Sequence, residues 1–440
     1  MTSLTFVGIA VVPLSAFSAL RNERMEQTLE LMTLTALTPR RVVIGKLLAQ
    51  GVKLATLFAA VAPFITMSFL LGGIDFVTIV AAVSMVFMWS LWASAFCLFL
   101  STLLKSRAMS GLVFGGVAIV LLFAFGFSRI LFMVASRGGL PFGVMFGLGM
   151  ARAQFWWVFA ISLSVCLVTM GNLVLLAENR LALSTENKVT PLRVGFFVQF
   201  LLILGWTLSY VSSSNAVVRS NAFDVLGVVG GLHLAAVAMF TVTEDLVVPR
   251  RVLMRMRQSS GPRRWVLAMF HPGGGRGALY VLVQMAMLIA AAVPLRVGAF
   301  DLRWILAICG YVCFFTGLLT VVYRLLRPTR AAAVMLRVGL LLLLPASMLL
   351  PDLIHYIVWQ PETLSLAYSM RHLVNPFRTL ANWPIVETRQ WLLMPLLFGV
   401  TGVVTYIALI AIGSQVTMDA MELQTGVETV DEPDRAAALH

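Results

Sequence analysis

Long apolar runs separated by short charged segments fill most of the chain, at about 4–20, 47–72, 76–104, 108–134, 155–177, 194–218, 225–243, 277–295, 304–323, 332–351 and 391–413. A hydrocarbon core about 30 Å thick is crossed by about 20 helical residues rising about 1.5 Å each. Each run is therefore predicted to be a membrane-spanning helix. Lipid offers no hydrogen bonds, so segments of this kind satisfy their backbone internally. The expectation is an all-α, polytopic integral membrane protein of about 11 transmembrane helices, with no second soluble domain.

The segment that breaks the pattern early is Arg21 to Lys46, RNERMEQTLELMTLTALTPRRVVIGK. Glu23, Glu26 and Glu30 fall on neighbouring faces of a helix, while Met25, Leu29, Met32 and Ala36 recur every three or four residues as an apolar stripe. A helix with that stripe lies against a protein; a solvated interfacial helix joining two spans is the plainer alternative. Thr38 and Pro39 then supply an N-cap and a first-turn proline. A second helix is predicted to start there and run through Val42, Val43 and Ile44 into the membrane, with Gly45 and Lys46 at the water boundary.

This stretch resembles the signature of the type-2 permeases of ATP-binding-cassette (ABC) exporters, E-R-E-x-G-T-L-E-L-L-x-x-T-P-L-S-x-x-x-I-x-x-G-K in the loop after the second span. Glu23, Arg24, Glu26, Thr28, Leu29, Glu30, Leu31, Leu37, Pro39, Ile44, Gly45 and Lys46 carry the match. Gln27 stands where the family usually has Gly, and Thr38 where it usually has Ser. About 24 residues match closely, and the rest of the chain corresponds in layout only. The resemblance implies a multi-pass permease of the bacterial inner membrane that moves its substrate using a separate ATPase subunit. It also implies that the loop is a coupling helix, with Glu23, Arg24, Glu26, Thr28, Leu29, Glu30, Pro39, Arg40, Gly45 and Lys46 docking on that ATPase.

Composition agrees with a bilayer as solvent: 60% of residues are apolar, 12% are charged and the mean hydropathy is +0.93. The net charge of +13 is unevenly placed. With 21–46 on the inner side, twenty-one Lys and Arg fall on that side and eight on the other: Arg137, Arg152, Arg219, Arg296, Arg303, Arg371, Arg378 and Arg389. The positive-inside rule supports this orientation. The charge then faces anionic headgroups rather than nucleic acid.

An odd number of spans with the C-terminus inside places the N-terminus outside, and the first run is short. A span upstream of Met1 is therefore expected, making twelve in two sixes. The layout repeats on that reading. A long cytosolic loop (21–46, then 244–276) follows the second span of each half, and an extended outer loop (135–154, then 352–390) precedes the sixth. The expected divisions are a first half at 1–193, a second half at 194–413 and an acidic, disordered cytosolic tail at 414–440. A six-span permease fused to unrelated helices is the alternative. Whether one chain forms the pore or pairs with itself or another permease is left open.

The loop 244–276 carries Arg250, Arg251, Arg255, Arg257, Arg263, Arg264 and Arg276 around the breakers Gly261-Pro262 and Pro272-Gly273-Gly274-Gly275. It reads mainly as stop-transfer charge and, by position, as a second coupling loop without the signature. In the first outer loop Gly139, Gly143 and Gly147 recur every four residues, suiting a re-entrant or packed hairpin. In the second, Trp359, Tyr368, Trp383 and Trp391 are expected as aromatic anchors at the membrane surface.

Chemistry is sparse. Lys53, Arg129 and Arg337 within spans lie in snorkelling reach of a boundary, and His233 beside Gly230 and Gly231 reads as a core histidine rather than a proton relay. Cys97, Cys166, Cys309 and Cys313 sit in spans without metal or disulfide patterning. Gly45-Lys46 lacks the upstream glycine and the hydroxyl of a phosphate loop. No catalytic, cofactor-binding or metal constellation is found, so the chain is not expected to be an enzyme. Energy must come from an ATPase partner; an ATP-independent secondary carrier of about twelve spans is the rival reading.

Overall fold

The computed structural model describes residues 6–25, 38–70, 76–103, 114–119, 121–122, 153–181, 189–211, 216–244, 269–295, 301–325, 375–383 and 395–416, with positions 111, 187, 254, 373 and 386 between them. Helices make up nearly all of these, and no strand occurs among them. Among the described residues seven helices are long and apolar enough to cross a membrane: Pro39–Phe64, Val83–Thr102, Phe159–Leu181, Val189–Leu208, Val217–Thr241, Gly274–Leu295 and Pro395–Val416. The chain is thus a polytopic helical membrane protein. It divides into two compact units, Met1–Gln199 and Phe200–His440.

In the first unit a π-helical turn, Val7–Val11, leads into α1 (Val12–Met25), followed by α2 (Pro39–Leu70), α3 (Phe76–Leu103), α4 (Ala153–Leu181) and α5 (Val189–Leu208), which crosses the division. The central element is α3, which packs on α1, α2 and α4. Its small residues explain why: Ser90, Ala93, Ser94, Ala95 and Ser101 are buried, and each hydroxyl except Ser90 turns back to a helix carbonyl, so the helix presents little polarity to its neighbours. Trp92 Nε1 donates to Thr169 Oγ1 at 2.9 Å, joining α3 to α4. Phe17 of α1 and Cys97 of α3 form a core with Val117 and Leu121, against which Phe114 packs.

The start of α5 shows how local chemistry sets an element. Thr190 donates its backbone N–H to Asn187 Oδ1 at 3.3 Å, capping the helix. Asn172 Nδ2 donates to Gln199 Oε1 at 2.7 Å and so ties α4 to α5. Arg193, expected in the inner loop, is instead a buried residue of α5.

The second unit contains α6 (Ala216–Thr241), α7 (Gly274–Leu295), α8 (Asp301–Leu325), a short α9 (Pro376–Ala381) and α10 (Pro395–Val416). α6 packs on α7 and α8, and α8 also meets α9. The predicted run 194–218 does not continue as one helix. α5 ends at Leu208 and α6 begins at Ala216, so Arg219 lies in the first turn of α6 rather than in a loop. Past Leu208 the chain tightens into a turn, with Tyr210 N donating to the Thr207 carbonyl at 3.2 Å and Val211 N to that of Leu208 at 3.0 Å, a break that average hydropathy conceals.

The Pro272–Gly275 breakers behave differently from expectation. Gly273 has φ 125°, a left-handed conformation, and its N–H donates to Glu244 Oε2 at 3.1 Å. From Gly274 onward the glycines are helical and buried. A Cβ on Gly277 would stand 2.1 Å from the Thr241 carbonyl oxygen, and one on Gly275 would stand 2.6 Å from that of Leu409. The glycines serve close approach of α7 to α6 and α10, not loop freedom.

Helix α10 crosses α8 at a second glycine seam. A Cβ on Gly310 would lie 2.9 Å from Gly399 Cα, and one on Gly402 would lie 2.6 Å from Phe314 N. The hydroxyls of Thr316 and Tyr406 hydrogen-bond at 2.7 Å within this contact, and Tyr406 is fully buried. Small residues that let backbones touch, with a buried polar pair beside them, are what holds helices together where lipid removes the hydrophobic drive.

Candidate functional site

Among the described residues two places are candidates for function: the α1–α2 pair that flanks the predicted docking segment, and the grooves of the second unit. Of the docking residues, Glu26, Thr28, Leu29 and Glu30 lie outside the described residues. Glu23 and Arg24 belong to the last turn of α1, which continues without a break from the preceding apolar run. Pro39, Arg40, Gly45 and Lys46 occupy the first turns of α2. The helix starts where the Thr38-Pro39 pair predicts: the Thr38 carbonyl accepts from Arg41 N at 2.9 Å and Val42 N at 3.3 Å. Arg40, Arg41 and Gly45 are exposed, and nothing lies within 4 Å of where a Gly45 Cβ would stand.

What fixes this hairpin is buried below it. Ser15 Oγ donates to Gln50 Oε1 at 2.9 Å, and Gln50 is 1% exposed. Ala16, Leu20 and Leu98 form a buried cluster against which Leu47 packs. The chain therefore leaves at Met25 and returns at Thr38 from two helices already clamped to each other and to α3. A rigid pair of this kind can pass a push at its end into the rest of the unit.

In the second unit His233 stacks on Phe200 with ring centroids 5.5 Å apart and meets Gln284 of α7; both His233 and Gln284 are buried. This fits the core-histidine expectation. The four cysteines are free and buried, and Cys313 Sγ lies 3.4 Å from Met285 Sδ in the α7–α8 contact. Among the described residues no group of His, Cys, Asp and Glu could hold a metal ion.

Two apolar grooves flank α8. One, of about 380 Å³, lies between α6, α8 and α9 and is lined by Gly227, Gly231, Trp304, Tyr311 and Phe315. Tyr311 donates its hydroxyl to the Leu373 carbonyl at 2.5 Å, which fixes the wall of this groove. Trp304 Nε1 donates to the Leu380 carbonyl at 3.1 Å. The other, of about 780 Å³, lies between α7, α8 and α10. Trp383, expected as a surface anchor, is instead 8% exposed and packed with Ala307, Leu373 and Val386 at the edge of this groove. Its apolar bulk is used for packing because α8 offers it the small Ala307. Trp359, Tyr368, Trp391, Arg129, Arg337, the glycine series 139–147 and the tail beyond 416 lie outside the described residues.

Neither grooves nor glycine seams were visible in the sequence, although Gly310, Gly317, Gly399 and Gly402, spaced along two apolar runs, were the available sign.

Comparison with protein-family models, curated proteins and solved structures finds no match for this chain.

Proposed function

We propose that this chain is the transmembrane permease subunit of an ABC exporter, resident in the bacterial inner membrane, with the 21–46 segment as the coupling element of a separate ATPase subunit. The observation that carries the reading is the signature-like stretch Glu23 to Lys46 falling at the join of α1 and α2, two helices clamped by the Ser15–Gln50 bond and by Leu20 with Leu47. In this reading closure of the ATPase pair pushes the coupling element, and the clamped hairpin moves as a lever against α3. In this reading nucleotide binds the partner, and the sequence carries no G-x-x-x-x-G-K-[ST] loop of its own. The arrangement in this reading is about eleven spans across the given chain, with 244–276 as the second half's loop equivalent to 21–46.

Substrate movement driven by an ion gradient is the competing reading, which the paired-halves layout also allows. Transport in inverted membrane vesicles separates the two. On the exporter reading uptake requires ATP, is blocked by vanadate and persists when ionophores collapse the ion gradients. Uptake that is indifferent to ATP and abolished by the ionophores would replace it with the secondary carrier.

A further inference from the structure

We propose that the groove between α7, α8 and α10 holds an acyl chain of an anionic phospholipid whose phosphate sits at Arg303. The groove has a volume of about 780 Å³, within the roughly 300–1,000 Å³ usual for small-molecule sites. Its walls are apolar: Met285 and Ile289 from α7, Cys309 and Gly310 from α8, Val400 from α10. Arg303 is the charged residue among its lining. The α10 wall is made of side chains that are themselves exposed, Leu396 at 57% and Val400 at 61%, so the groove opens sideways toward the bilayer.

Length and direction point to one leaflet. α8 lines the groove from Arg303 to Cys313, about 15 Å at about 1.5 Å per residue, which is half of a hydrocarbon core of about 30 Å. α10 lines it from Pro395 to Val404, and α7 from Leu282 to Ile289. With the basic loops inside, α8 and α10 enter from the outer face and α7 ends there, so α8 and α10 give their outer halves and α7 its middle. Arg303 then stands at the level of the outer headgroups.

Charge selects the occupant. An apolar groove takes any acyl chain, but a guanidinium pairs with phosphate through parallel N–H donors, and an anionic headgroup brings no ammonium of its own to compete. The inference rests on the topology and the groove, not on the ATPase reading, and holds equally for a secondary carrier.

The test is native mass spectrometry of the full chain in detergent, titrated with phosphatidylglycerol and with phosphatidylcholine of the same chain length. The basic inner face also attracts anionic lipid, so the readout is the number of tightly held molecules in wild type against variants. Wild type is expected to hold one more phosphatidylglycerol than Arg303→Gln or Val400→Trp, with affinity at that site down about tenfold in each; Arg303→Lys should keep most of it. Both substituted side chains are exposed, and melting curves check that the variants fold. Should Arg303→Gln fail to fold, Val400→Trp and the choline lipid decide. Loss in Val400→Trp alone would mean chain binding without charge selection, and loss in Arg303→Gln alone would mean a headgroup contact without the groove. Either result overturns the proposal, as does an unchanged count in both or equal binding of the two lipids.

Discussion

Ser15 Oγ donates to Gln50 Oε1 across 2.9 Å, joining α1 to α2 ten residues before α1 ends at Met25. Gln50 is among the most buried polar side chains described, at 1% exposure. Such a bond is worth little net but costly to half-remove: a buried amide left unsatisfied costs about 1–3 kcal/mol, and measured interhelical bonds in membranes average nearer 0.6.

Ser15→Ala is therefore expected to lower the melting temperature by a few degrees, and Gln50→Leu in the same background to recover part of it, because two apolar partners leave nothing unpaired. Thermal melts of the two singles and the double check this. Strict additivity, with the double worse than either single, would show that the two side chains do not act as a pair.

The glycine seam gives a sharper contrast. Gly402→Ala places a Cβ 2.6 Å from Phe314 N and 2.7 Å from Cys313 Cβ, so α8 and α10 must part. At Gly45 nothing lies within 4 Å, and Ala there gains helix propensity of up to about 1 kcal/mol. Gly402→Ala should cut folded yield or lower the melting temperature by several degrees, while Gly45→Ala melts at or above wild type. If Gly45 serves docking, its variant loses coupling with stability intact. Equal melting of Gly402→Ala and wild type would contradict the seam.

These two glycines show how far the sequence could be read. Helices α3, α4, α7 and α8 lie within a few residues of their predicted runs, because an apolar stretch in lipid has few other forms. Periodicity does not reveal which face meets a neighbour. Gly310 and Gly402 mark a crossing only once the two helices are placed together, and Gly273–Gly275, read as loop breakers, serve a tight helix junction. Trp383 was misplaced for a related reason: amphipathic residues suit both a membrane surface and a packed edge, and only Ala307 opposite decides. The start of the helix at Pro39 was legible through local capping chemistry, which needs no partner.

Orientation can be tested without function. The native cysteines are all buried, so labelling background is low. A cysteine at Arg255 should resist a membrane-impermeant maleimide in intact cells and react after permeabilisation, while one at Arg371 reacts from outside. Labelling of the Arg255 position from outside would reverse the topology and move the Arg303 groove to the inner leaflet.

The central claim is that the 21–46 segment couples the membrane fold to an ATPase. Removing one partner of a charged interface contact typically costs about 2–5 kcal/mol, so charge reversal should act at a distance from the bilayer without disturbing it. The measurement is ATP hydrolysis co-purifying with the detergent-extracted chain, compared between wild type, Glu30→Arg and the outer control Arg371→Ala at equal membrane levels. Wild type and the control are expected to carry vanadate-sensitive ATPase activity, with Glu26→Arg or Glu30→Arg reducing it about tenfold or more. Full retention of ATPase binding and transport in Glu30→Arg, or no ATPase with wild type, would contradict the coupling assignment.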